Sequence, residues 1–379
     1  ALTIKGTGFA QNATVTFGGV PAASVLVLDP TTITAVSPPN VRGRVTVVVR
    51  NPDGTTGAKP NGFAYLDDEP TADADGDGLP DLWEVRYGLD PSDATGVHGA
   101  LGDPDGDGVT NADEFRNGTH PRGLVKQYFA EGVDTTFFAT EFALVNPSDQ
   151  RATVVLGFLK SDGTQAAWPV DIEARRRVTV RSQDIAPLRG IAFSTVVESD
   201  GPVVVDRKVI WDRTGYGGHA ETAIAAPSTV WYLAEGATHS GFDLFYLLQN
   251  PNPQSVEVEV RYLLPRGEPI VKTYTLPPAS RYNIWVDLED PRLALTDVSA
   301  VITSLGDWPI IVERSMYLNA AGQPFGAGHN SAGVTAPATR WFLAEGATGD
   351  FFDLFVLIAN PTPQAADVVA TYLLPSGQT

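Results

Sequence analysis

The sequence has no cysteine in its 379 residues. This excludes disulfides, thiolate metal sites and cysteine nucleophiles, and fits an exported bacterial chain stabilised by other means. Positive charge is scarce as well: 26 Lys and Arg stand against 45 Asp and Glu, a formal net charge of −19. Such a chain repels nucleic-acid phosphate and suits divalent cations as partners. Long apolar runs are missing too. The best, "FFDLFVLIAN" from Phe351 to Asn360, is far short of the ~20 residues a membrane helix needs and carries Asp353, so no membrane-spanning helix is expected. There is no basic segment followed by an apolar core at the start, so any export signal is expected to be removed or to lie upstream. H-E-x-x-H, G-x-S-x-G and Walker motifs are absent. "GYGGHA" at Gly215–Ala220 fits G-x-G-x-x-A formally, but no helix follows it and it reads as a turn. His98, His120 and His239 read as exposed loop residues.

What is abundant is punctuation. With 37 Gly and 29 Pro and no extended helical periodicity, the chain predicts many short strands, and its length predicts several modules. From Leu2 to Tyr65, period-two apolar runs are separated by Gly, Pro, Asp and Asn, which predicts a small antiparallel sandwich. In one run Val45, Val47 and Val49 face the core, and "NPDG" at Asn51–Gly54 makes the next turn. The phrases at Gly6–Phe9, Val15–Gly19, Thr32–Pro38 and Phe63–Tyr65 resemble the IPT/TIG immunoglobulin-like domain. The resemblance covers about 65 residues and implies a fold rather than an activity. The copy begins inside the usual first strand, so a piece is expected upstream.

Two acidic stretches follow, "DADGDGLPDLWE" and "DPDGDGVTNADE". A calcium loop needs oxygen ligands at positions 1, 3 and 5, a residue free to turn at 6, a carbonyl at 7, and a carboxylate at 12. Asp73, Asp75, Asp77, Gly78, Leu79, Asp81 and Glu84 occupy positions 1, 3, 5, 6, 7, 9 and 12 of the first stretch. Asp103, Asp105, Asp107, Gly108, Val109, Asn111 and Glu114 do so in the second. The alternative, a solvated acidic linker, gives no reason for Gly at 6 and Glu at 12 twice. Two calcium ions are therefore expected. "DDEPTA" and "GVHGALG" before the loops cannot form the entering helices of an EF-hand. Short exit helices are expected to stop at Gly88 and Gly118, with Trp83, Tyr87 and Phe115 as a shared core. The pair resembles bacterial thrombospondin type 3-like calcium repeats, and a dockerin is the alternative.

The remainder repeats itself. "QYFAEGVDTTFFATEFALVNPS", "WYLAEGATHSGFDLFYLLQNPN" and "WFLAEGATGDFFDLFVLIANPT" align without gaps, placing Glu131, Glu235 and Glu345 at one position, 104 and 110 residues apart. "PVVVDRKVIWD" likewise matches "PIIVERSMYLN", each followed by a Gly-His at His219 or His329. A period near one hundred with about seven strand-like runs predicts an immunoglobulin-like sandwich per copy. The fold class is thus mostly β: tandem immunoglobulin-like modules with a two-calcium unit after the first. The divisions are 1–66, 67–123, 124–229, 230–340 and a partial copy at 341–379 with about three strands. In each copy the Glu, the acidic-Arg pair (Asp206-Arg207, Glu313-Arg314) and the His are expected to form a polar cluster. It reads as a structural salt bridge, with Glu/His catalysis as the alternative.

Similar repeats occur in large bacterial surface and secreted proteins. The expectation is a non-enzymatic extracellular stalk or adhesive filament, with an accessory, possibly polysaccharide-binding, region of a secreted enzyme as the alternative. The partial copy is expected to be completed by sequence beyond Thr379, or by strands from a second chain in head-to-tail assembly.

Overall fold

Alternating apolar residues bounded by turn formers give this chain its strands, and the strands pair antiparallel throughout the described residues. The computed structural model describes residues 2–39, 43–65, 71–212, 216–320, 323–350 and 352–377. It falls into two units, Ala1–Arg122 and Gly123–Thr379.

In the first unit, Leu2–Lys5, Thr32–Val36 and Ser24–Asp29 form a three-stranded sheet, in that order. Val20–Pro21, Thr14–Phe17, Gly43–Arg50 and Thr56–Tyr65 form a second, four-stranded one. Val15, Phe17, Ile33, Ala35, Val47 and Val49 are buried between them, with Val45 packed alongside. Val47 and Val49 face inward as their alternation dictates, while Arg50 is exposed. The "NPDG" turn closes with the Gly54 N–H donating to the Asn51 carbonyl at 3.0 Å.

The second unit contains two sandwiches of the same design. In the first, Arg176–Arg181, Phe138–Asn146, Val204–Trp211 and Gly217–Thr222 make one sheet. Gln165–Ile172, Ala152–Lys160, Ile191–Ser199 and Val125–Phe129 make the other, with the short Val133–Asp134 strand beside it. The second sandwich repeats the order. Ser280–Trp285, Phe242–Asn250, Ile311–Ala320 and Gln323–Ala332 face Ile270–Leu276, Val256–Leu263, Ser299–Ser304 and Val230–Leu233. Each has at least eight strands rather than the expected seven, because the Gly-His segment is a strand. "GYGGHA" begins at Gly215, which lies outside the described residues, but its Gly217–Ala220 part is not a turn: Gly217–Thr222 is an edge strand paired with Asp206–Trp211. Its glycine has a packing reason, since a Cβ on Gly217 would lie 2.1 Å from the Trp211 ring.

The "NP" signature also has a structural cause. The Asn146 side-chain amide donates to the carbonyls of Gln150 (2.7 Å) and Ile172 (3.0 Å), tying a hairpin to the neighbouring strand end. Asn250 does the same with Gln254 (2.8 Å) and Pro277 (2.7 Å). In the third copy Asn360 keeps only the local bond, to Gln364 at 2.6 Å. The described residues from 335 to 377 form no strand, contrary to the three expected, and Phe342, Leu343 and Phe355 are 73–85% exposed. Among the described residues no helix is long and apolar enough to cross a membrane.

Candidate functional site

The acidic loops fold identically. Asp73 accepts from the Gly76 and Gly78 N–H groups at 2.8 and 2.9 Å, and Asp77 from Leu79 N–H at 2.8 Å. Asp103 accepts from Gly106 and Gly108 at 2.8 and 3.0 Å, and Asp107 from Val109 at 2.9 Å. Position 6 requires glycine because Gly78 and Gly108 lie at φ 98° and 88°. The turns gather Asp73, Asp75 and Asp77 so that one carboxylate oxygen from each lies within 4.8 Å of the others, and Asp103, Asp105 and Asp107 likewise.

A short helix leaves each loop: α1, Asp81–Arg86, and α2, Asn111–Asn117. Positions 9 and 12 are three apart on these helices and so share a face. That face is inward in both copies, since Asp81, Glu84, Asn111 and Glu114 are 0–2% exposed. Asp81 Oδ1 accepts the Ala74 N–H inside its loop at 2.7 Å, whereas the Asn111 amide donates to the Gly99 carbonyl at 2.8 Å, just before its loop, and leaves its own Oδ1 buried without a hydrogen-bond partner. Glu84 differs: both its carboxylate oxygens are buried without a hydrogen-bond partner. Burial, reinforced by the charges of Asp75, Asp77, Asp81 and Asp73, pushes its pKa up to about 8. Asp75 is also raised, by burial first and then by Asp77 and Asp73. Orphaned buried oxygens facing three carboxylates fit a hard cation, which such oxygens ligate directly.

The helices end as expected, with Gly118 left-handed at the cap of α2 and Gly88 at φ 73°. The Trp83 ring meets Tyr87 and Phe115 edge-on at 5.1 and 5.5 Å. Of the three rings expected as a core only Tyr87 is buried, with Trp83 half-buried and Phe115 40% exposed; His120, which the sequence reading placed at the surface, is instead 1% exposed, edge-on to Tyr87 at 4.7 Å, and its Nδ1 accepts the Arg122 N–H. No helix precedes the second loop. Asp67–Pro70, before the first, lie outside the described residues.

The repeated Glu, Arg and His come together within each copy as expected, and in the first copy the next sandwich adds further partners. Arg207 lies 3.3 Å from Glu131 of its own sandwich and 2.6 Å from Glu313 of the next. It also donates to Asn330 at 2.8 Å and sits 5.2 Å over the Phe129 ring. Glu313 accepts from the Ala130 and Glu131 backbone N–H groups at 3.0 and 3.3 Å. Glu131 accepts from Ser315 and Tyr317 hydroxyls at 2.7 and 2.9 Å, with His219 Nε2 at 3.4 Å. Asp206, the expected partner of Arg207, points away to Thr222 because neighbouring strand residues face opposite sides. Burial would raise Glu131, but His219 and Arg207 beside it, with the Ser315 bond, outweigh this and hold it well below the usual carboxylate range. Burial depresses Arg281, also at this joint, to about 10. The two-copy arrangement was out of reach of a copy-by-copy alignment. Its signal was the replacement of Glu141 and Lys208 on one sheet face by the uncharged Phe245 and Ser315 of the second copy.

No curated protein matches the chain. Solved structures with similarity include the protein numbered 1070 of Thermotoga maritima (14% identity, 29% of this chain, 96% of that one, TM-score 0.26). Another is the Anabaena sensory rhodopsin transducer (24%, 22%, 85%, 0.20). A third is SGBP-B of the Bacteroides ovatus mixed-linkage glucan utilization locus, in complex with mixed-linkage heptasaccharide (8%, 82%, 69%, 0.17). TM-scores of this size carry no argument. Residues 1–65 match the family model of the IPT/TIG domain.

Proposed function

We propose that the chain is a non-enzymatic, extracellular structural or adhesive array on a bacterial surface, with calcium in its paired acidic loops. The observation that supports it most is the use made of the repeated Glu, Arg and His. Arg207, Glu131 and Glu313 are at most 5% exposed and are consumed in a joint between successive sandwiches, where no substrate reaches them. The absence of cysteine and the IPT/TIG match fit an exported modular chain. In the first loop Asp73, Asp75, Asp77, the Leu79 carbonyl, Asp81 and Glu84 would hold the ion, with Asp81 Oδ1 also holding the Ala74 N–H. Asp103, Asp105, Asp107, the Val109 carbonyl, Asn111 and Glu114 would hold the second. Calcium supplies the positive charge these clustered carboxylates lack, converting mutual repulsion into cross-linking.

A double-mutant cycle on Arg207→Met and Glu313→Gln, read by calorimetric unfolding at fixed calcium, tests the joint. Arg207→Met strands the buried carboxylates of Glu131 and Glu313 and is expected to cost about 3–5 kcal/mol; Glu313→Gln leaves Arg207 its Glu131 partner and is expected to cost about 1.5–3 kcal/mol, with a coupling on the order of 2 kcal/mol. Additive, sub-kilocalorie effects would remove the joint from the account. Turnover of a polysaccharide, ester or peptide that disappears on Glu235→Gln would replace it with an enzyme.

A further inference from the structure

The second sandwich carries the same cluster as the first, with one side open. Arg314 lies 2.7 Å from Glu235 and donates to the Glu235 carbonyl at 2.8 Å, and His329 sits 3.5 Å from Glu235. These repeat the contacts among Arg207, Glu131 and His219. At the first joint, however, the His219 and Glu131 side chains are 4% and 5% exposed, whereas those of His329 and Glu235 are 43% and 31% exposed. Ala130, whose N–H grips Glu313, is fully buried, and its counterpart Ala234 is exposed.

The sheet face that closes the first joint has a sequence code. In the second sandwich it carries Phe245, Leu247 and Gln249 on one strand and Ile311, Glu313, Ser315 and Tyr317 on the next. The first sandwich has Glu141, Ala143 and Val145, then Val204, Asp206, Lys208 and Ile210 at these positions, and pairs Glu141 with Arg181 and Lys208 in solvent. The third copy reads Phe355, Leu357 and Ala359 there. It follows the docking version, not the solvated one.

We infer that the Arg314–Glu235–His329 end of the second sandwich is an acceptor for a further copy of the same module, the one whose opening strands are spelled by residues 341–379. The arriving face presents a carboxylate to Arg314 and to the Ala234 and Glu235 N–H groups, as Glu313 does to Arg207, Ala130 and Glu131. This rests on the chain being an array of modules.

The test is a chain in which the residues from Trp341 onward are replaced by a second copy of Trp231–Ala338. Hydrogen exchange at Ala234 and Glu235 is expected to slow about tenfold or more, and to recover when the appended counterpart of Glu313 is changed to Gln. Unchanged exchange at these amides, with the appended copy's core strands protected, overturns the proposal while leaving the Arg207 joint and the array standing. Should the appended sandwich fail to fold, Gly123–Ala338 is appended instead, with Glu141→Phe, Asp206→Glu, Lys208→Ser and Ile210→Tyr in the added part. Slowed exchange is again the expected result, and unchanged exchange in that folded chain overturns the proposal equally.

Discussion

Glu131 makes the joint sensitive to acid in a defined direction. Its folded pKa is depressed from an ordinary value of 4.5, chiefly because His219 and Arg207 outweigh burial. The unfolded chain therefore takes up a proton first as pH falls. The stability Glu131 contributes is complete above about pH 4.5 and is lost progressively below it. The melting-temperature gap between the native chain and Glu131→Gln is expected to narrow steadily as pH drops from 5 toward 2. A gap that widens would mean the carboxylate is not held ionised by these partners. At the residue scale the sequence was most informative where chemistry is local. Asp73 and Gly78 are legible because a turn needs few residues, whereas burial of His120 depends on Tyr87, more than thirty positions away.

The edge strands Gly217–Thr222 and Gln323–Ala332 show why glycine-rich text misled. The glycines of the first read as a turn, yet in both strands glycines lie under aromatic rings. A Cβ on Gly217 would strike the Trp211 ring, and one on Gly328 would come within 2.8 Å of Tyr317. Gly217→Ala is expected to cost about 1–3 kcal/mol through this overpacking, seen as a lower unfolding midpoint. No loss would place the ring elsewhere. The exit helices were legible for the opposite reason, as capping glycines and three-residue spacing are properties of one element. Only the direction of their buried face was not: α1 turns Asp81 and Glu84 inward and leaves Leu82 43% exposed.

Two sandwiches of identical strand order follow from the sequence repeat, and the joint between them follows from where the copies differ. Alignment shows Glu141 and Lys208 giving way to Phe245 and Ser315, but that these positions line a joint becomes visible only when both copies are folded. The third copy is expected to behave as an uncovered segment. In the 379-residue chain, amides of Phe352–Ile358 should exchange freely while those of Leu244–Leu248 remain protected. Equal protection would mean that residues 341–379 build a self-sufficient fold. The acidic loops, by contrast, gather their carboxylates without any later module. Isothermal titration of the 379-residue chain with calcium tests the central claim most directly. The account predicts two bound ions, one after Glu84→Gln, poor substitution by magnesium, and protection of residues 71–122 from proteolysis that a chelator reverses. Absence of binding at millimolar calcium, or proteolysis indifferent to the ion, would contradict it.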